Sequence, residues 1–303
     1  MAQDSDLYEE VHAILQTVGN RLGVSVRDAK LLRLHSNASF ALPDHGLLIR
    51  IATNPAAFPR VAAAIDVTRW LAGRGFPCVI PADIKGQPFT ERGRVVSVWR
   101  YVPTTAGPEQ PGAELGRLLR LLHAQPDPPR PLGNFTDPFY SVASAIEEVP
   151  YALPGPDRAW LQDRIVGLKD RWNTLVFPRP PGLIHGDAHV NNLMQATSGE
   201  VILGDWDHVA VGPREWDLMQ IHYIHRRFGR VTGHDLDAFA AAYGWDIRKW
   251  TGLEILIAIR EITGLSAHIR TAPDKPLTRE QLLFRLDTLR RRDAAARWES
   301  PPN

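Results

Sequence analysis

The chain is poor in cysteine: Cys78 is the only one in 303 residues. A lone thiol excludes an internal disulfide framework and suits a reducing compartment. Placed before Val79-Ile80-Pro81, it reads as a small buried residue rather than a nucleophile. Charge of either sign is not in excess, with 35 Lys and Arg against 34 Asp and Glu and a net charge of +1. Nothing in that balance asks for nucleic acid or a membrane surface as partner. No apolar run reaches membrane-spanning length; Leu253 to Ile259 comes nearest, and it is short and holds Glu254. Met1-Ala2-Gln3-Asp4-Ser5-Asp6 is acidic and lacks the apolar stretch of a signal peptide, so the expected location is cytoplasmic. Internal repeats are also missing. Composition is otherwise ordinary for a globular protein, at 44% hydrophobic and 23% charged residues. The length allows two lobes with a cleft between them.

The informative stretch is Leu183-Ile184-His185-Gly186-Asp187-Ala188-His189-Val190-Asn191-Asn192, followed by Val201-Ile202-Leu203-Gly204-Asp205-Trp206-Asp207. Asn192 to Ala196 reads as a short strand, Thr197-Ser198-Gly199-Glu200 as a turn, and Val201 to Gly204 as the returning strand. A hairpin brings its open ends together, so Asn192 and Asp205 are expected side by side. Their oxygens suit Mg²⁺. Asp187, on the loop leading in, adds a further carboxylate. Phosphoryl transfer from a nucleotide needs such a set: a metal against the phosphates, and a carboxylate to orient a hydroxyl and take its proton. A zinc hydrolase built on His185, Asp187 and His189 is the competing reading. It leaves Asn192 and the hairpin without a role.

Asp-x-x-x-x-Asn, a hairpin and then Asp resembles the kinase catalytic loop and its metal-binding aspartate. With His185-Gly186-Asp187, Asp205-Trp206-Asp207 and Gly212-Pro213-Arg214-Glu215-Trp216-Asp217-Leu218, the chain resembles the aminoglycoside phosphotransferase and choline kinase-like family. The resemblance implies an α+β, bilobal protein kinase-like fold. Residues 1–102 would form a small antiparallel-sheet N-lobe that binds nucleotide. Residues 103–303 would form a mainly helical C-lobe with the catalytic loop and the acceptor site. It implies a small-molecule kinase using ATP or GTP with Mg²⁺, and a small hydroxyl-bearing acceptor. Asp187 is then the catalytic base, and Asn192 and Asp205 hold metal. Asp207 serves a second metal or the substrate, or is a surface acid. His185 is a scaffold for the loop. Asp217 tethers the loop or caps its own helix. A catalytically inactive nucleotide-binding module of the same fold stays open.

Hydrophobic spacing predicts a helix over 7–22, strands over 29–40 and 47–51, a helix over 60–73 and strands over 88–90 and 95–101. Val61, Ile65, Trp70 and Leu71 are expected to face the sheet. Residues 103–112 read as a linker, 114–124 as a helix, 125–138 as a proline-rich surface excursion and 277–296 as a last amphipathic helix. The resemblance puts Arg50 on the nucleotide phosphates, and alternation sends it to the face opposite Ile49 and Ile51. It makes Asp66 the helix carboxylate that orients this cation. Ser36 and Asn37 would cover the phosphates in a segment, 34–40, that contains no glycine. Trp99 and Tyr101 fall in the adenine hinge, as core aromatics or as ring-stacking partners.

The acceptor is the thinnest part of the reading. From 218 to 303 there are 14 Arg and Lys against 10 Asp and Glu, which does not favour a polycation. Glu254 and Glu261 share one helix face and either line the pocket or form surface pairs. Tyr243, Trp245 and Trp250 offer a cage for a choline-like cation or are simply core. A neutral or anionic hydroxyl compound is expected to serve better than an aminoglycoside.

Overall fold

The computed structural model describes residues 2–34 and 37–299, with side chains from Asp6 onward. The chain forms two compact units. One comprises Met1–Pro108, Pro128–Leu132 and Asn191–Val209; the other comprises Glu109–Asp127, Gly133–Val190 and Ala210–Asn303.

The first unit is built on a five-stranded antiparallel sheet of order β1-β2-β3-β5-β4. Its strands are β1 (Lys30–Leu34), β2 (Asn37–Leu42), β3 (Leu47–Ala52), β4 (Phe89–Glu91) and β5 (Arg94–Arg100). The strand expected over 29–40 is therefore a hairpin. Lys30 pairs with Ala41 and Leu34 with Ala38, so the chain has reversed between Leu34 and Asn37. His35, like Ser36, is not among the described residues. Alternation holds: Ala38, Phe40, Ile49, Ile51, Val96 and Val98 form one buried face. Helix α1 (Ala2–Leu22) covers it with Val11, Ile14, Leu15 and Val18. Arg94 pins α1 to β5 through two bonds to Glu10, at 2.9 and 2.8 Å.

Helix α2 (Phe58–Gly73) buries Val61, Ala64, Ile65, Val67, Thr68 and Leu71. Trp70, expected against the sheet, is only half-buried, with Arg74 5.5 Å from its ring centre. The proline-rich stretch is not a free excursion. Pro128–Leu132 lies on α2, enclosing a cavity of about 340 Å³ with Pro59, Ala62, Ala63, Asp66 and Val67, and Arg130 is ion-paired to Asp66. The hairpin β7 (Leu193–Gln195) and β8 (Val201–Leu203) completes this unit, with Leu193 opposite Leu203. Cys78 bridges to Leu203 and is buried. Burial, then Glu200, pushes its thiol up to about 12, which fits the inert residue expected.

The second unit is mainly helical, with α3 (Pro111–His123), α4 (Tyr140–Glu148), α5 (Gly155–Asn173), α6 (Glu215–Phe228), α7 (Gly233–Tyr243), α8 (Leu253–Thr263), α9 (Ser266–Thr271) and α10 (Pro276–Arg290). A strand pair, β6 (Gly182–Ile184) with β9 (Ala210–Gly212), carries the catalytic-loop sequence. Helices α3 and α7 touch backbone to backbone: a Cβ on Gly116 would fall 2.5 Å from the Phe239 carbonyl oxygen. The last helix ends at Arg290 rather than 296. The Asp293 side chain caps the amides of Ala295 and Ala296, and Arg227 takes the carbonyls of Asp293 and Ala296. Among the described residues no helix is long and apolar enough to cross a membrane.

His222 on α6 and His268 on α9 are buried. Burial, followed by the nearby Arg248 for His222 and Arg285 for His268, lowers each to about 4. The unfolded chain therefore binds protons that the fold refuses below about pH 6.5. Their contribution is fully present above pH 6.5 and is lost as pH falls toward 4, by roughly 3 kcal/mol each. Urea unfolding at pH 7, 5.5 and 4.5 should show this fall, and His222→Leu should remove about half of it.

Candidate active site

Register places Asn192 opposite Gly204, whose amide donates to the Asn192 carbonyl oxygen at 2.9 Å. Asp205 follows at once, with a left-handed φ of +59° that a residue with a Cβ rarely adopts. Trp206 explains how that conformation is held. Its indole is fully buried, donates to the Leu203 carbonyl at 2.9 Å and meets Phe76 edge-on. With the tryptophan anchored inward, Asp205 and Asp207 on either side both reach one cation, Arg50. Its Nη2 lies 3.2 Å from Asp205 Oδ1 and 3.1 Å from Asp207 Oδ2. Asn37, also buried, donates its side-chain amide to Asp207 at 3.1 Å.

Burial works against charge on Arg50, but Asp207 and Asp205 outweigh it, so the guanidinium holds its proton more firmly than usual. Burial likewise works against Asp207. Arg50 and Asn37, with His208 and Arg60, overcome it and set that carboxyl below its ordinary range. The expected Arg50–Asp66 pairing is corrected: Asp66 belongs to Arg130, while Arg50 takes its carboxylates from Asp205 and Asp207. Asp66 sits on the side of α2 that meets the proline-rich segment. Of the two readings of Trp99, core aromatic or ring-stacking partner, the structure shows the core one. Trp99 is 2% exposed and donates to Ser97 at 2.9 Å, so only its backbone is open to a hinge role. Tyr101 is half-buried, its amide bonded to the Gly46 carbonyl at 2.8 Å.

In the second unit the loop after β6 is fixed from below. Asp217, fully buried on the first turn of α6, accepts from the amides of His185 at 2.7 Å and Gly186 at 2.8 Å. His123 Nε2 lies 3.2 Å from the same carboxylate, and its Nδ1 is 2.9 Å from the Tyr243 hydroxyl. Trp216 donates its indole N–H to the Gly186 carbonyl at 2.9 Å. Gly186 has φ +86°, a backbone conformation that favours glycine. The His185 ring accepts from the Asp187 amide at 3.4 Å and is fully buried, the scaffold position expected of it.

Asp187 is not alone above this platform. Arg260 Nη2 lies 2.9 Å from Asp187 Oδ1, and His189 Nε2 lies 3.7 Å from Oδ2. Arg260 was not foreseen. Its signal was a lone arginine in the apolar run Leu253-Glu254-Ile255-Leu256-Ile257-Ala258-Ile259-Arg260. Glu254 and Glu261 do not form one pocket wall: Glu254 pairs with Arg226 and is exposed, whereas Glu261 is buried against Arg227 at 2.6 Å. The aromatic cage is also filled from within. Arg179 lies over Tyr243 and Trp245, at 5.3 and 4.9 Å, and Trp250 packs on Phe177.

Among the described residues no three His, Cys, Asp or Glu side chains form a metal set, which removes support from the zinc reading of His185, Asp187 and His189. An amide with carboxylates, Asn192 with Asp205 and Asp207, is a different donor set. Its hard oxygens fit Mg²⁺. Asp217→Ala should cost about 2–5 kcal/mol, because buried charge-assisted bonds are lost and loop amides are left unpaired. Urea unfolding measures it; a loss under 1 kcal/mol would mean that other contacts hold the loop.

The comparisons agree with this architecture. A computed match to the phosphotransferase enzyme family spans residues 30–254. An amicoumacin kinase, solved with AMP-PNP, Ca²⁺ and its antibiotic, is similar with a TM-score of 0.72 at 14% identity, over 96% of this chain and 98% of that one. The choline kinase LicA from Streptococcus pneumoniae gives 0.65 at 12% identity, over 91% and 98%. A spectinomycin phosphotransferase solved with ADP and spectinomycin gives 0.61 at 14%, over 90% and 93%. The fold is protein kinase-like, with a small antiparallel sheet in one unit and mostly helix in the other. The chain belongs to the phosphotransferase enzyme family and is a small-molecule kinase with an alcohol group as acceptor.

Proposed function

We propose that this protein transfers the γ-phosphate of ATP or GTP to a hydroxyl of an antibiotic, sugar or similar metabolite, with Asp187 as catalytic base. The observation that carries the nucleotide side is the sharing of Arg50 between Asp205 and Asp207. Two carboxylates converging on one cation beside the Asn192 amide make a donor set suited to a hard divalent ion. Asn192 and Asp205 would hold Mg²⁺, and Asp207 a second ion or the substrate. Mg²⁺, when bound, supplies neutralisation of the phosphate oxygens. Arg50 grips the phosphates, and Asn37 keeps Asp207 turned toward it. Nucleotide complexes among the similar structures, with AMP-PNP and with ADP, support the same assignment.

Asp187 orients the acceptor hydroxyl. As the acceptor oxygen bonds to the γ-phosphorus, the bond from phosphorus to the bridging oxygen breaks, the diphosphate leaves with that electron pair, and the hydroxyl proton passes to the Asp187 carboxylate. The Asp217 tether supports this role, because it fixes the backbone on which Asp187 stands.

Asp187→Asn should keep nucleotide affinity near that of the wild type and lower turnover by about 10²–10⁴-fold. Binding by calorimetry and turnover by nucleotide consumption over a panel of hydroxyl compounds read the two apart. Unchanged turnover would remove Asp187 from the chemistry, and binding with no turnover on any acceptor would favour an inactive nucleotide-binding module. Asp205→Asn should weaken nucleotide binding in Mg²⁺ and leave it unchanged in EDTA. Equal loss in both media would count against a metal role.

A further inference from the structure

The Asp187 carboxylate is already matched by a cation of this chain. Arg260 Nη2 stands 2.9 Å from Asp187 Oδ1, its Nε donates to Gln220 Oε1 at 2.9 Å, and its guanidinium lies 5.2 Å from the Tyr223 ring centre. Gln220 is fully buried and Tyr223 nearly so, so the guanidinium is held in place rather than swinging on a flexible stem. Nη1 makes no hydrogen bond among the described residues, which leaves one donor edge of the fork beside the base. His189 adds a second unmet group there, since its Nδ1 is buried with no partner.

Three further acids of α6 and α8 are engaged within the chain. Glu261 serves Arg227, Glu254 serves Arg226, and Asp217 serves the loop amides and His123. A polycationic acceptor needs several carboxylates opposite its ammonium groups. Here Asp187, Glu254 and Glu261 are each ion-paired to an arginine, and a fixed guanidinium stands next to the reacting hydroxyl. An anion meets the opposite arrangement, because an arginine fork takes a carboxylate or phosphate through paired N–H bonds.

We infer that Arg260 selects the acceptor, and that the compound phosphorylated carries an anionic oxygen group, a carboxylate or a phosphate, close to its reacting hydroxyl. The inference rests on the assignment of Asp187 as base, and it goes further by naming the acceptor class. Arg260 touches the acceptor through Nη1 while Nη2 keeps Asp187 in place.

The test uses the full chain with Mg²⁺ and ATP or GTP on acceptors matched in size and differing in charge. One set is glycerate, glycerol 3-phosphate, glycerol and serinol; a second is gluconate, sorbitol and glucamine; kanamycin and spectinomycin are added. These sit within a wider library of hydroxyl compounds sorted by charge. Product is identified by mass, and kcat/KM is compared within each set. The anionic members should lead their neutral matches by about tenfold or more, and the ammonium members should be poorest. Carboxylate and phosphate members tell the two anions apart. Arg260→Glu should lower the anion-to-cation ratio of kcat/KM by about tenfold or more, and Arg260→Lys should keep its sign at reduced size. Nucleotide binding by both variants checks that they are folded. A best acceptor that is neutral or cationic overturns the inference and leaves the phosphotransfer assignment standing. So does a ratio that Arg260→Glu and Arg260→Lys leave unmoved while all rates fall, which is the signature of a residue that only holds Asp187. If no compound in the library is phosphorylated although nucleotide binds, the phosphotransfer assignment itself fails and the inference falls with it.

Discussion

A buried carboxylate, Asp217, is the constraint on which the loop that carries Asp187 depends. It has no exposure, and an ionised group in that position persists only where donors surround it. The donors are the amides of His185 and Gly186 together with His123. The dependence runs both ways. The loop backbone is satisfied by a side chain from the first turn of α6, and that side chain is satisfied by the loop. Tyr243 extends the network to α7 through His123, and the close approach of α7 to α3 at Gly116 leaves no slack behind it. Asp187 therefore projects from a loop whose position is set by three helices rather than by its own short sequence.

Several acidic groups are matched instead by arginines of the same chain. Arg50 answers Asp205 and Asp207, Arg260 answers Asp187, and Arg227 answers Glu261. The first pair of acids flanks the fully buried Trp206, and Asp205 beside it has a left-handed backbone. Such a conformation costs free energy of order 1–3 kcal/mol. A fully buried indole and two ion pairs beside it offset that cost. Asp207 keeps its charge for the same reason: the Arg50 guanidinium and the Asn37 amide outweigh the cost of burial.

Elements tied to local chemistry were legible in the sequence. The hairpin around Thr197-Ser198-Gly199-Glu200 and the alternation that separates Arg50 from Ile49 and Ile51 rest on turn residues and periodicity along a short stretch, whereas the tethering option for Asp217 rests on the family resemblance. Partners brought in from far along the chain were not legible. Arg130 reaches Asp66 across 64 residues, Arg260 reaches Asp187 across 73, and His123 reaches Asp217 across 94. No periodicity encodes such pairings; they follow from which helix faces meet. The hairpin at 34–37 was missed for a different reason. Apolar residues of β1 and β2 read in sequence as one long strand, and their antiparallel pairing, Leu34 with Ala38, is a tertiary outcome that alternation alone does not encode. The C-terminal helix was drawn too long because Ala294-Ala295-Ala296 favours helix, whereas Arg227 and the Asp293 side chain claim that backbone for a turn.

Adjacent residues on α8 show how the acceptor side is kept in register. Arg260 and Glu261 are one step apart on a helix, about 100° around its axis, and they engage different partners. Glu261 is buried against Arg227, which also holds the carbonyls of Asp293 and Ala296 and lies 4.7 Å from the Trp298 ring centre. Turning α8 far enough to withdraw Arg260 from Asp187 would drag Glu261 out of that pair. Breaking a buried ion pair by removing one partner costs about 3–5 kcal/mol. The tail around Trp298 thus resists rotation of α8 although it lies outside the motif. The distance between Arg260 and the Asp187 carboxylate is set by packing on the far side of the helix as much as by the ion pair itself.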